Sequence, residues 1–131
     1  MAEIKIPGDL LYTEEHEWVK KVSDDEITVG ITDYAQGELS DVVFVELPDV
    51  GSTFNKMEPF GTIEAVKAVS ELYTPVGGEI TAVNDDLADD PAVVNRDPYG
   101  DGWMVRIRLD DASELDDLLS PAKYKALIAE S

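Results

Sequence analysis

The chain has 131 residues, 44% of them hydrophobic, and carries 29 Asp and Glu against ten Lys and Arg, a formal net charge of −19. So acidic a surface repels phosphates and anionic lipid headgroups, which argues against nucleic acid or membrane surfaces as partners; it fits either solubility in salt or docking onto basic surfaces. Cysteine is absent, which excludes disulfides, zinc fingers and a thiol nucleophile, so any sulfur chemistry has to come from outside the polypeptide.

The opening Met1-Ala2-Glu3-Ile4-Lys5 lacks a basic region followed by an apolar core, and no stretch approaches the roughly 18 apolar residues of a membrane span. A cytoplasmic protein of one domain is the expectation. Trp18 to Val22 and Glu26 to Ile31 are β-rich and flank the polar Ser23-Asp24-Asp25, which predicts a hairpin. His16-Glu17-Trp18 reads as the start of the first of these strands, with the indole in the core. Thr32 is placed to cap a helical turn through Tyr34 to Leu39. Val42 to Glu46 forms the next strand and stops at Leu47-Pro48-Asp49, because proline cannot donate to a central ladder.

Phe60 to Ala65 and Val69 to Thr74 predict a second hairpin with Lys67 at its tip. Pro75-Val76-Gly77-Gly78 ends it, and Glu79 to Val83 resumes as a strand before an Asn84-Asp85-Asp86 turn. In the last strand Trp103, Val105, Ile107 and Leu109 alternate with Met104, Arg106 and Arg108, which predicts one buried and one exposed face. A short helix is expected around Leu115 to Leu119. Ser120 as N-cap and Pro121 at the first helical position then open a final helix, with Tyr124, Leu127 and Ile128 at helical spacing. Many short strands followed by a helical tail at about residues 113–130 argue a mainly β fold, a small sandwich or barrel closed by helices.

Catalytic constellations are scarce. His16 is the single histidine, and no nucleophile elbow, H-E-x-x-H helix or glycine-rich phosphate loop accompanies it. The pairs Asp85-Asp86 and Asp89-Asp90 lack the glycine and terminal glutamate of a calcium loop and read as solvated faces. Asp97-Pro98-Tyr99-Gly100-Asp101-Gly102 is rich in turn formers and reads as a connector. Lys67 stands apart: a long stem on a turn, among Ala65, Val66, Ala68 and Val69, presents its amine where a modifying enzyme can reach it.

The stretch EAVKAVSELYTPVGGEI around Lys67 resembles the lipoyl-attachment motif of glycine cleavage H proteins. HEWVK at 16–20, GITDYAQGEL at 30–39, DVVFVELPDVG at 41–51 and DPYGDGW at 97–103 match in the same order. Biotin carriers typically place methionine on both sides of the lysine, where this chain has Val66 and Ala68. Lipoyl domains of 2-oxo acid dehydrogenases commonly have Asp before the lysine, and they lack the amino-terminal segment and the helical tail.

The resemblance implies a barrel-sandwich hybrid of the lipoyl and biotinyl carrier type, with residues 1–131 as a single carrier domain, and a carrier rather than an enzyme. Lipoic acid would be amide-linked to Lys67. The arm would take the aminomethyl group of glycine from the P protein, a pyridoxal-phosphate decarboxylase, to the T protein, an aminomethyltransferase. The L protein, dihydrolipoyl dehydrogenase, would reoxidise the arm. Glu64 and Gly78 match positions read by lipoate-attaching enzymes, and Glu17 matches a glutamate that shields the loaded arm. Tyr34 stands where some relatives carry histidine. A lipoyl reservoir or interaction module outside glycine cleavage is the alternative use of such a chain.

Overall fold

Runs of β-branched and aromatic residues broken by polar turns leave little room for long helices, and the chain folds accordingly. A computed structural model describes residues 5–129; Met1 to Ile4 and Glu130 of the expected tail lie outside them. The strands are β1 (Leu11–Tyr12), β2 (Glu17–Lys21), β3 (Glu26–Ile31), β4 (Val42–Glu46), β5 (Thr53–Phe54), β6 (Pro59–Ala65), β7 (Val69–Tyr73), β8 (Gly78–Val83) and β9 (Val105–Leu109). The helices are α1 (Asp33–Leu39), α2 (Asp86–Asp89), α3 (Val93–Arg96) and α4 (Pro121–Ala129).

Two antiparallel sheets result. One has six strands in the order β1-β2-β3-β9-β8-β5, the other three in the order β4-β6-β7. They face one another without closing into a single barrel. Val19, Ile27, Val29, Val105 and Ile107 from the first sheet meet Val45, Ile63 and Leu72 from the second in one continuous core. Each such side chain removed from water contributes about 1.5–3 kcal/mol before chain entropy is subtracted.

The first hairpin forms as the sequence predicts. Val22 and Ser23 N–H donate to the Glu26 carbonyl at 2.9 and 3.2 Å, and Ser23 Oγ donates to Asp25 Oδ1 at 3.0 Å. Strand β2 is covered on both sides, because Val19 enters the main core while Trp18, on the opposite face, joins a second cluster with Leu10, Tyr12 and Tyr124. Gly30 pairs with Trp18 across β2 and β3, and a Cβ there would come within 2.7 Å of the indole nitrogen. A side chain at residue 30 would therefore displace the ring. The expected connector at 97–102 seats the same tryptophan: Trp18 Nε1 donates to the Pro98 carbonyl at 2.9 Å.

Three expectations need correction. His16 does not begin a strand: it has a φ of +70°, in the left-handed region, and β2 starts at Glu17. The last strand begins at Val105, so Trp103 and Met104 precede it and escape its alternation; Met104 is fully buried and Trp103 only partly so. The backbone causes this, since Met104 N–H donates to the Val29 carbonyl while its own carbonyl accepts from Asn84. The helix expected at Leu115 to Leu119 is a 3-10 turn at Ala112–Asp117, moved upstream because the Asp111 carboxylate caps Ser113 N–H at 3.0 Å and Leu118 is extended. Strands β1 and β5 and helices α2 and α3, each of two to four residues, were not foreseen.

The tail helix opens as expected, with Lys123 N–H donating to Ser120 Oγ at 3.3 Å. Just before it, Leu119 exchanges both backbone hydrogen bonds with Tyr12, at 2.9 and 2.7 Å, which lays the chain against the outer edge of β1.

Candidate functional site

Lys67 lies at the tip of the β6–β7 hairpin and is exposed. The turn is closed by Ala65 N–H on the Ala68 carbonyl at 2.8 Å, and tied sideways to the start of β4 by Val66 N–H on the Asp41 carbonyl at 2.9 Å. The tip is thus held at its base while the side chain projects. Val66 and Val69, on either side, are 71% and 66% exposed. Glu64 is exposed on β6 and paired across the hairpin with Val69. Gly78 stands at the opposite end of the hairpin, where β8 begins on the other sheet. A Cβ there would run into the Arg108 carbonyl oxygen and come within 2.7 Å of Ile107. Glycine is what lets β8 and β9 approach one another here.

Down the outgoing strand from Lys67 lies a cleft of about 260 Å³. Its apolar walls are Ile31, Leu39, Ile63 and Leu72, with Ser70 and Glu71 along β7 and His16 and Tyr34 on the other side. Ser70 is three residues from Lys67, about 10 Å along an extended strand. A chain attached to the lysine reaches the cleft by lying back along β7.

Glu17 forms the polar end of this cleft and is 2% exposed. The sequence did not reveal this burial, because its two supports come from other segments. Thr13 Oγ1 donates to Glu17 Oε1 at 2.7 Å, and Tyr73 N–H donates to Oε2 at 3.3 Å. Among the described residues no cationic side chain pairs with it. Burial pushes its carboxyl up from 4.5 to about 8, against the two hydrogen bonds that favour the ionised form. An uncompensated buried carboxyl beside an apolar cleft suits a hydrocarbon chain that ends in a cationic group, and such a cation would restore the ionised form.

His16 also belongs to the site, on geometry that spacing alone did not supply. Its ring tilts against Tyr34 with centroids 4.8 Å apart, and its Nδ1 lies 2.9 Å from the Tyr124 hydroxyl. Tyr124 in turn lies 2.7 Å from Thr32 Oγ1, which accepts from Ala35 N–H as the cap of α1. With the buried Thr32 hydroxyl donating to Tyr124, the Tyr124 proton goes to His16 Nδ1. Burial lowers the His16 pKa, opposed by Glu15 and Glu38. The imidazole is accordingly a neutral wall of the cleft, backed by the tail helix. Among the described residues no group of three or more His, Asp or Glu is placed to hold a metal ion, and no helix is long and apolar enough to cross a membrane.

The family model described as glycine cleavage H-protein matches residues 10–131. The glycine cleavage system H protein of Rubrobacter xylanophilus is 59% identical over 130 residues, covering 99% of this chain and 98% of the relative. A probable glycine cleavage system H protein of Haloarcula marismortui is 57% identical over 120 residues, covering 92% and 94%. The crystal structure of a glycine cleavage system H protein from Mycobacterium marinum superposes with a TM-score of 0.87 at 40% identity, covering 95% of this chain and 99% of the other.

Proposed function

The chain belongs to the glycine cleavage H-protein family, and from that premise we propose that it is the lipoyl-bearing carrier of glycine cleavage, with lipoic acid amide-linked to Lys67. In this reading residues 1–131 act as a single, non-catalytic domain in the cytoplasm. One observation carries it: an exposed lysine on a tied hairpin tip, three residues along the strand from an apolar cleft that ends in a buried, cation-free carboxyl. When attached, the lipoyl group supplies an exchangeable disulfide, the sulfur chemistry that a chain without cysteine lacks.

The chain's own residues supply the rest. Lys67 holds the arm at high effective concentration near whichever enzyme has docked, the P, T or L protein. Glu17 accepts the ammonium end of the carried aminomethyl group in a charge-assisted hydrogen bond. Ile31, Leu39, Ile63 and Leu72 exclude water from that group and so slow its hydrolysis. Glu64 contributes to recognition by lipoate-attaching enzymes from beside the tip. Gly78 contributes through the strand packing it permits, being at the far end of the hairpin. Acylation of Lys67 removes one of only ten basic charges, which strengthens attraction to basic partner surfaces.

Intact mass of the chain, produced with lipoate available, tests the assignment. It should show the increment of one lipoyl group, absent from Lys67→Ala, and the loaded chain should support glycine–bicarbonate exchange with purified P protein. A biotin increment, or exchange by the Lys67→Ala chain, would overturn it.

A further inference from the structure

His16 lines the cleft beside Glu17, yet nothing in the carrier role uses its imidazole. Its backbone is held in the left-handed region, at φ +70°, by two hydrogen bonds. His16 N–H donates to the Thr13 carbonyl at 3.1 Å, and the His16 carbonyl accepts from Thr32 N–H at 3.0 Å. Such a conformation disfavours a side chain, and here it brings the imidazole and the Glu17 carboxyl to the same cleft from consecutive residues. The ring's proton is fixed from behind. The buried Thr32 hydroxyl donates to Tyr124 and Tyr124 to Nδ1, so the neutral ring carries its proton on Nε2. Nε2 points away from α4 and meets no hydrogen-bond partner among the described residues. Among those residues the only buried side-chain polar atom without a partner is Ser40 Oγ, so Nε2–H is open to the cleft and not sealed in the core. A donor and an acceptor thus face one apolar cleft, each secured by a different segment of the chain.

We propose that His16 is a second polar anchor for the arm, its Nε2–H donating to the free sulfur beside the carried aminomethyl group while Glu17 holds the ammonium. The inference rests on the assignment of Lys67 as the lipoyl residue. Opening the dithiolane leaves one sulfur bonded to the carried group and the other free. A free thiol accepts a hydrogen bond weakly and a thiolate strongly, so Nε2–H favours the thiolate. Glu15, Glu38 and Glu71 also line the cleft, and their charge opposes a thiolate there. A neutral donor at contact distance is what the site sets against them. The two anchors sort the states of the arm. A closed disulfide offers neither a cation nor a free thiol and meets apolar contacts alone. The reduced arm meets His16, and the loaded arm meets His16 and Glu17 together. The cleft therefore lets go of the arm that awaits glycine and keeps the one that carries its product.

The test uses the full lipoylated chain with its single histidine isotopically labelled on both ring nitrogens. Long-range proton–nitrogen spectra should show the Nε2-protonated tautomer while the arm is oxidised. Loading the arm with P protein and glycine should shift the Nε2 resonance and move its proton downfield. Reduction without glycine, which frees the sulfur but supplies no ammonium, should give a smaller shift in the same direction. His16→Asn removes the imidazole but keeps a residue that tolerates left-handed backbone. It should release ammonia from the loaded chain about fivefold faster than the parent, as the loss of one hydrogen bond implies, with lipoate attachment unchanged. An Nε2 resonance identical in the oxidised and loaded chains would overturn the proposal, as would a shift on loading with none on reduction, which would assign the effect to the ammonium. Ammonia release by His16→Asn at the parental rate would overturn it as well; the resonances are read on the parental chain, so they decide even if that variant does not fold. A chain whose intact mass shows no lipoyl group on Lys67 would instead overturn the reading on which the proposal rests.

Discussion

The hairpin tip and the floor of the cleft lie toward opposite ends of β7, the floor being held by the Tyr73 N–H six residues on from Lys67, yet they are built on opposite principles. At the tip, Lys67 and its valine neighbours are exposed, and only the backbone is anchored, through Ala65, Ala68, Val66 and Asp41. At the floor, Glu17 is buried and each carboxyl oxygen is held by a donor from a different segment. On the proposed reading, a residue that several enzymes reach is kept clear of the core, while a residue that waits for a cation is fixed before it arrives. The cost is paid at the floor, where desolvation disfavours the charge that the proposed role of Glu17 needs.

The sharpest way to break the contrast is Lys67→Arg. A guanidinium is not acylated under ordinary conditions, so lipoylation and glycine exchange should be lost completely. Stability should stay within about 0.5 kcal/mol of the parent, because nothing in the core depends on the tip. Retained exchange, or a clearly lowered denaturation midpoint, would mean that the tip is not the independent element described above.

Glu17→Gln probes the floor. Between its ordinary value of 4.5 and about 8, the folded protein keeps a proton that the unfolded chain has released. The stabilising proton is fully held in both states below that window, so parental stability falls as pH rises through it. Glutamine is neutral throughout. The variant should therefore gain on the parent in urea melts between about pH 5 and about pH 9, although it no longer retains the cationic end of the carried group. A constant difference between the two proteins across that range would show that burial does not hold the carboxyl neutral.

Tyr124→Phe has the smallest expected effect. Removing the hydroxyl leaves the Thr32 hydroxyl and His16 Nδ1 without their shared partner, at about 1–2 kcal/mol by denaturant unfolding. The His16 titration, followed by its ring proton resonances, should move upward, because Nδ1 no longer accepts a proton from tyrosine. An unmoved titration would reverse the donor order assigned to the Thr32–Tyr124–His16 chain.

The tip was legible in the sequence because hairpins announce themselves locally: two β-rich runs, a short gap and a lysine among small residues. The Thr32 cap of α1 and the Ser120-Pro121 start of α4 were legible for the same reason. The cleft was not. Its lining comes from four stretches of chain, and Glu17 owes its burial to Thr13 and to a backbone N–H 56 residues away. Family resemblance pointed to Glu17, but no local pattern distinguishes a buried glutamate in Glu17-Trp18-Val19 from a solvated one. The surroundings of Glu64 are likewise a product of register, since Phe44 and Val69 become its neighbours only when β4 and β7 flank β6. Elements of two to four residues, such as β1, β5, α2 and α3, carry too few residues for periodicity to register.

The bridge between Tyr12 and Leu119 has a consequence for a concentrated solution of this protein. Strand β1 ends the six-stranded sheet and would otherwise offer unpaired backbone groups as a template for a strand of another molecule. The chain occupies that position itself, with the residue that leads into α4, and the helix then covers Tyr12 and Trp18 with Tyr124. The tail thereby guards this edge of the sheet against edge-to-edge pairing, so that a second copy approaching β1 meets the molecule's own chain rather than a bare strand.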